Sequence, residues 1–198
     1  MTDSSGSVPF RITICGLDEL GSLCEAGVSH VLSILDPAAP APPAFGAFGG
    51  HERLELRFDD VIEERPDYLA PTGAQVEEVL AFGRTLDGAA GERHLLVHCH
   101  AGISRSTAAT TLILAQARPD RAAAEILDEI LAIREKAWPN LRMIEFGDAA
   151  LGRGGTLVRE AARVYAAQLR RRPPLEQFFI AAGREREVRL ALSGGATG

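Results

Sequence analysis

Residues 94–106 read HLLVHCHAGISRS. The first part, His94 to Cys99, is apolar enough to be a strand buried on both faces of a parallel sheet, with Val97 between Leu95 and Cys99. The character then changes. Gly102 supplies a backbone position where a side chain would obstruct a tight curl, and Ser104 to Gln116 reads as an apolar helix. A strand, a short loop and a helix N-terminus in that order make a nest for anions. The amides of His100, Ala101, Gly102, Ile103, Ser104 and Arg105 can all turn inward, and the helix dipole adds to them. Arg105 closes the loop, where its planar fork can hold two phosphate oxygens. Helix N-termini favour the thiolate form of a cysteine, so Cys99 is the candidate nucleophile, aimed at a phosphorus held above it.

Working outward, Arg11–Cys15, His30–Leu35 and Arg53–Phe58 read as three further strands, and Asp36-Pro37 stops the second. Leu17 to Ala26 reads as a short helix. Pro37 to Gly50 carries four prolines and no periodicity, and reads as a long surface loop whose Phe45 and Phe48 could line a pocket rim. Thr72 with Gln75 is a capping-box pattern that opens a helix bearing Val76, Val79, Leu80 and Leu86. Helical segments follow near Arg121–Glu135, Asn140–Leu151 and Thr156–Arg171, until Pro173-Pro174 interrupts. This alternation predicts an α/β fold, with a central, mostly parallel sheet of about four to five strands flanked by helices on both faces. Residues 1–8 are expected to be a loose tail, 9–172 a single domain, and 173–198 an extension of uncertain structure.

The chain has 198 residues, 46% hydrophobic and 24% charged, as a single soluble domain of that length does. Its net charge of −6 argues against nucleic-acid binding and means that an anion site must be built locally. Of 21 basic residues only Lys136 is a lysine. Three cysteines, Cys15, Cys24 and Cys99, show no paired spacing, no segment reads as a secretion signal, and no apolar run is long enough to span a membrane. A cytoplasmic protein with no membrane insertion is expected. The oligomeric state is not legible.

The loop resembles the HCxxGxxRS loop of cysteine-dependent protein tyrosine phosphatases, above all the compact dual-specificity branch. Phe58-Asp59-Asp60 resembles the FDD of the phosphatase-of-regenerating-liver group, whose second aspartate is the general acid and maps to Asp60. Arg134 and Pro139-Asn140 resemble a downstream helical region, so the similarity of organisation spans about residues 11 to 150. The resemblance implies a dual-specificity phosphatase-like fold and hydrolysis of phosphate monoesters through a cysteinyl-phosphate intermediate, on phosphorylated proteins or peptides, without cofactor or metal. Cys99 attacks, Arg105 and the loop amides hold the equatorial oxygens, Asp60 protonates the leaving group, Ser106 eases thiolate departure, and His98 supports Cys99 from beneath the loop.

Two departures stand out. Asp60 lies 39 residues before Cys99, further than in the compact branch. The variable loop positions hold His100 and Ile103, not lysines, which disfavours polyphosphorylated inositol lipids. Alternatives remain open for the acid, Asp59 first and Asp67 next. Cys15 or Cys24 could pair with an oxidised Cys99. His98, Cys99 and His100 could suggest zinc, but neighbouring strand residues face opposite sides and converge poorly on one ion. Competing functions are a phosphoprotein-binding pseudophosphatase and a thiol enzyme of sulfur transfer or arsenate reduction. An aspartate ahead of a mid-chain cysteine loop follows the dual-specificity order.

Overall fold

The computed structural model describes residues 10–23, 27–86 and 93–194. Four strands, β1 (Phe10–Cys15), β2 (His30–Leu35), β3 (Glu52–Arg57) and β4 (Arg93–His98), form one sheet in the order β1-β4-β2-β3, every pairing parallel. The inner positions go to the most apolar sequences. All of β2 (HVLSIL) is buried, and so is β4 after its first residue, whereas edge strand β3 (ERLELR) is half polar. The register aligns Ile14, Val97, Leu32 and Leu54 in one row across the sheet.

Among the described residues there are seven α-helices: α1 (Gly73–Arg84), between β3 and β4, then α2 (Arg105–Ala117), α3 (Ala123–Ile133), α4 (Leu141–Ala150), α5 (Thr156–Arg171), α6 (Leu175–Ala181) and α7 (Glu185–Gly194). Helices cover both faces of the sheet, but unequally. Leu95 and Val97 of β4 join the main core with α1 to α5, while Leu96, facing the other way, joins a smaller cluster. That second face is covered by two short 3-10 helices, Leu17–Leu23 and Pro43–Ala47. α2 runs through the centre and is buried along almost its whole length. α4 lies close against it at Gly147, where a Cβ would stand 2.2 Å from Leu112. The capping box of α1 forms as read from the sequence, Thr72 accepting from the Gln75 amide and Gln75 accepting from that of Thr72.

Three segments differ from the sequence reading. The short helix expected over Leu17 to Ala26 is a 3-10 helix over Leu17–Leu23, and residues 24–26 lie outside the described residues. The Pro37–Gly50 stretch contains a 3-10 helix, for which Pro43 supplies a preset φ at the first turn. Its Phe45 is buried against His98, ring centroids 5.4 Å apart, with the Arg53 guanidinium 4.1 Å from its own ring centre. Beyond Pro173-Pro174 the chain forms α6 and α7, whose Phe179, Val188 and Ala191 enter the main core.

Candidate active site

Three strands end at one edge of the sheet, and each delivers a polar side chain there: Asp36 after β2, Asp60 beyond β3 and Cys99 after β4. The crevice outside the carboxyl ends of parallel strands is where open α/β sheets bind ligands. A cavity of about 540 Å³ lies there, with Asp36, Asp60, Cys99, His100, Ala101, Ile103, Ser104 and Arg105 in its lining.

The loop between β4 and α2 is turned inside out by its surroundings. The carbonyl of His100 accepts from the Leu17 amide at 2.9 Å, those of Ala101 and Gly102 from the Arg134 guanidinium at 3.0 and 3.1 Å, and those of Ile103 and Ser104 from the amides of Trp138 and Asn140. With every carbonyl drawn outward, the amides of His100 to Ser104 are left without a protein acceptor among the described residues. Arg134 is held in turn by Glu19, in a bidentate pair of 2.8 and 2.7 Å. Gly102 has φ +68°, and a Cβ there would lie 2.5 Å from the Cys15 carbonyl carbon, so no other residue fits the close approach of loop and β1. Ser104, at the N-cap of α2, makes no capping bond. The helix N-terminus is therefore open to an anion.

Cys99 sits at the base, 2% exposed, its Sγ 3.3 Å from the Ser106 hydroxyl. Arg105 is almost wholly buried. Its Nη1 donates to Asp36 Oδ1 at 2.6 Å and to the Phe58 carbonyl at 2.7 Å, while its Nε is buried with no partner. Nη1 is thus fixed, while Nε has no partner among the described residues and is free to meet an acceptor such as an anion oxygen.

Asp60 faces the same cavity. Its Oδ1 accepts from the Ser104 hydroxyl at 2.7 Å and from Asn140 Nδ2 at 2.9 Å, and lies 3.3 Å from Arg184 Nη1. Burial pushes this carboxyl up, but Arg184, then Arg105, and the donors Asn140 and Ser104 outweigh burial and hold it below the ordinary carboxylate range. Asp59 points elsewhere. Its Oδ2 accepts from the Leu69 amide at 2.7 Å and its own amide donates to the Leu69 carbonyl, closing the base of the loop. Neither Asp59 nor Asp67 lines the cavity.

Among the other expected site residues, Gly102 stands behind the loop rather than in the cavity. His98 lies on the far face of the sheet: its Nε2 meets Ser33 Oγ at 2.7 Å, and its Nδ1 lies by the Cys99 backbone without closing a hydrogen bond. The imidazole therefore does not reach the sulfur. Burial depresses it to about 4, so it is neutral at ordinary pH. Cys15 is buried with its thiol pushed up to about 12, mainly by burial. Cys24 lies outside the described residues. Phe45 and Phe48 do not line the cavity, because Phe45 is drawn under the sheet. The rim is built instead from Lys136, Trp138, Arg172, Leu175, Phe178 and Phe179. Arg172, at the C-cap of α5, is among them. Asp36, Asn140 and Arg184 are the partners that the sequence reading did not assign.

No protein-family model matches the chain, and no curated protein matches it. Solved structures do. Human DUSP28 is 20% identical, over 72% of this chain and 94% of that one, with a TM-score of 0.53. The Yvh1 phosphatase domain from Chaetomium thermophilum is 20% identical, covering 77% of this chain and 96% of its own, at a TM-score of 0.50. Tk-PTP in its active form is 21% identical over 72% and 92%, also at 0.50. At such identities the likeness is one of fold: the chain has the α/β fold of the dual-specificity phosphatases.

Proposed function

We propose that the protein is a cysteine-dependent phosphatase of the dual-specificity type, hydrolysing phosphate monoesters of proteins or peptides through a cysteinyl-phosphate intermediate. The observation that carries this reading is the buried Nε of Arg105, which with the amides of His100 to Ser104 has no protein acceptor among the described residues, in the cavity that Cys99 also lines. A phosphate dianion supplies the acceptors that all of these donors lack.

In the first step Cys99 Sγ bonds to phosphorus and the ester P–O bond breaks. The equatorial oxygens, over which charge spreads, rest on the amides of residues 100–105 and the fork of Arg105. The departing oxygen takes the proton of Asp60. In the second step water bonds to phosphorus as the P–S bond breaks. Asp60 now takes a proton from that water, and the Ser106 hydroxyl, 3.3 Å from Sγ, donates to the departing thiolate. These steps need no metal or cofactor. The apolar wall of Trp138, Leu175, Phe178 and Phe179 suits an aryl ester such as phosphotyrosine.

The test is release of phosphate from p-nitrophenyl phosphate and from a phosphotyrosyl peptide, with mass spectrometry of acid-quenched reactions. Turnover, a phosphate adduct on Cys99, and loss of both in Cys99→Ser with anion binding retained are expected. Release that persists in Cys99→Ser would refute the covalent route. Binding without turnover in the wild type would make the protein a phosphoprotein-binding module.

A further inference from the structure

Arg184 stands in the turn between α6 and α7, in a segment that follows the double proline. It is 4% exposed, and its guanidinium spans two carboxylates. On one side Nε and Nη2 form a bidentate pair with Glu187, 2.7 Å each; on the other Nη1 faces Asp60 Oδ1 at 3.3 Å. Glu187 is itself immobilised: Trp138 Nε1 donates to it at 2.7 Å and the Leu141 amide at 3.0 Å. Trp138 is stacked between Tyr165 and Phe179, at 4.6 and 4.0 Å between ring centroids. Arg184 therefore cannot swing away without leaving Glu187 a buried carboxylate stripped of its cation.

The same helix pair grips the segment that carries Asp60 at two more points. Arg65 donates to the Ala182 carbonyl at 3.0 Å, and Arg186 pairs with Glu63 at 2.6 Å. Gly183 adopts φ +75°, the conformation that turns the chain so that Arg184 enters the core directly after Ala182.

All three donors on Asp60 fall on one oxygen. Ser104, Asn140 and Arg184 converge on Oδ1, and no donor among the described residues meets Oδ2. We propose that Arg184 is a positioning residue for the acid: it anchors Oδ1 from the side opposite the phosphate loop, so that Oδ2 alone carries the proton delivered to the leaving group. This inference rests on the phosphatase reading above and assigns the C-terminal helices a part in the same chemistry.

A fixed cation beside the acid also has a cost for its protonated form. Arg184 and Arg105 face Asp60 as cations from the α6–α7 turn and the start of α2. Glu187 of α7 faces it through Arg184, and Tyr165 of α5 lies within its field. Asp36 reaches it through Arg105, and Cys99, Lys136 and Arg172 share its cavity. Removing Arg184 takes away the leading attraction for the charged form. Neutralising Glu187 takes away a repulsion and acts in the opposite sense.

The experiment is the pH–rate profile of the full chain with phenyl phosphate, whose leaving group needs a proton, and with p-nitrophenyl phosphate, whose leaving group needs less. The basic limb for phenyl phosphate should move up by about one pH unit or more in Arg184→Gln. It should stay in place in Arg184→Lys, which keeps the charge, and move down in Glu187→Gln. The limb for p-nitrophenyl phosphate should respond less. A purely structural Arg184 would lower the rate at all pH values and leave the limb where it was, and that result overturns the proposal. If Arg184→Gln does not fold, the Glu187→Gln limb decides, and its failure to move down counts equally against the proposal. Carboxyl-carbon NMR of Asp60 in the wild type and the folded variant separates this from the reading of function. A wild type inactive at every pH refutes the phosphatase, whereas an Asp60 that titrates alike in both proteins refutes the role of Arg184.

Discussion

Cys99 and Arg105 reach the cavity from one continuous run, from the end of β4 into the first turn of α2, whereas Asp60 is held there by Ser104, Asn140 and Arg184, from the starts of α2 and α4 and the α6–α7 turn. The side of the proposed nucleophile is a local structure, in which the loop presents its own amides and arginine while outlying elements hold its carbonyls and the Nη1 of Arg105. The acid side is a tertiary structure, and no two of its parts are near neighbours in sequence. A change in the C-terminal helices should therefore spare anion binding and disturb proton transfer.

Arg105→Lys strikes the local side hardest. It keeps the charge and loses the fork, so kcat/KM should fall by about 10³-fold with every leaving group; near wild-type kinetics would place the guanidinium elsewhere during turnover. Asp60→Asn strikes the assembled side. The expected loss is about 10²-fold for phenyl phosphate and far less for p-nitrophenyl phosphate, with a flattened basic limb. A leaving-group dependence that appears in Asp59→Asn instead would transfer the acid role by one residue. The floor beneath the loop should show itself in stability. Folded His98 is held at about 4 against an ordinary 6.5, so its contribution is whole above pH 6.5 and is lost as pH falls toward 4, amounting to about 3 kcal/mol. Urea unfolding across that range should show the loss in the wild type and a flatter dependence in His98→Gln. Asp36→Asn, which loosens the Nη1 edge of Arg105, should cost about tenfold in kcat/KM for all leaving groups alike. A loss confined to poor leaving groups would instead tie Asp36 to the acid side. Asp59→Asn should cost only ~1 kcal/mol in urea, from the Leu69 contact, and leave the pH profile unchanged.

The same contrast explains what could be read beforehand. HLLVHCHAGISRS states its strand, its turn and its helix in order, because each depends on near neighbours. The span of β2 and the capping box of α1 were legible for that reason. Asp36 was legible only as the end of a strand, which it also is; its place at the carboxyl end of a parallel strand was the signal for more. Arg184 could not be reached from local pattern, since its partners lie 124 and 3 residues away and Pro173-Pro174 hides the helices beyond. The available hints were Phe178-Phe179 and the Val188–Ala191 spacing. The Pro37–Gly50 stretch has no period to read, and Phe45 went to the core because the second face of the sheet has little else to cover it.

The outward-held carbonyls of the loop have a consequence during synthesis. Their donors belong to Leu17, Arg134, Trp138 and Asn140, so three of the four leave the ribosome after Cys99. Until they arrive, the Leu17 amide is the one of these donors present, and four of the five carbonyls lack the donor that draws them outward. Arg184 emerges later still. A chain that has emerged only as far as residue 140 thus lacks both the cation that meets Asp60 Oδ1 and the C-terminal part of the main core.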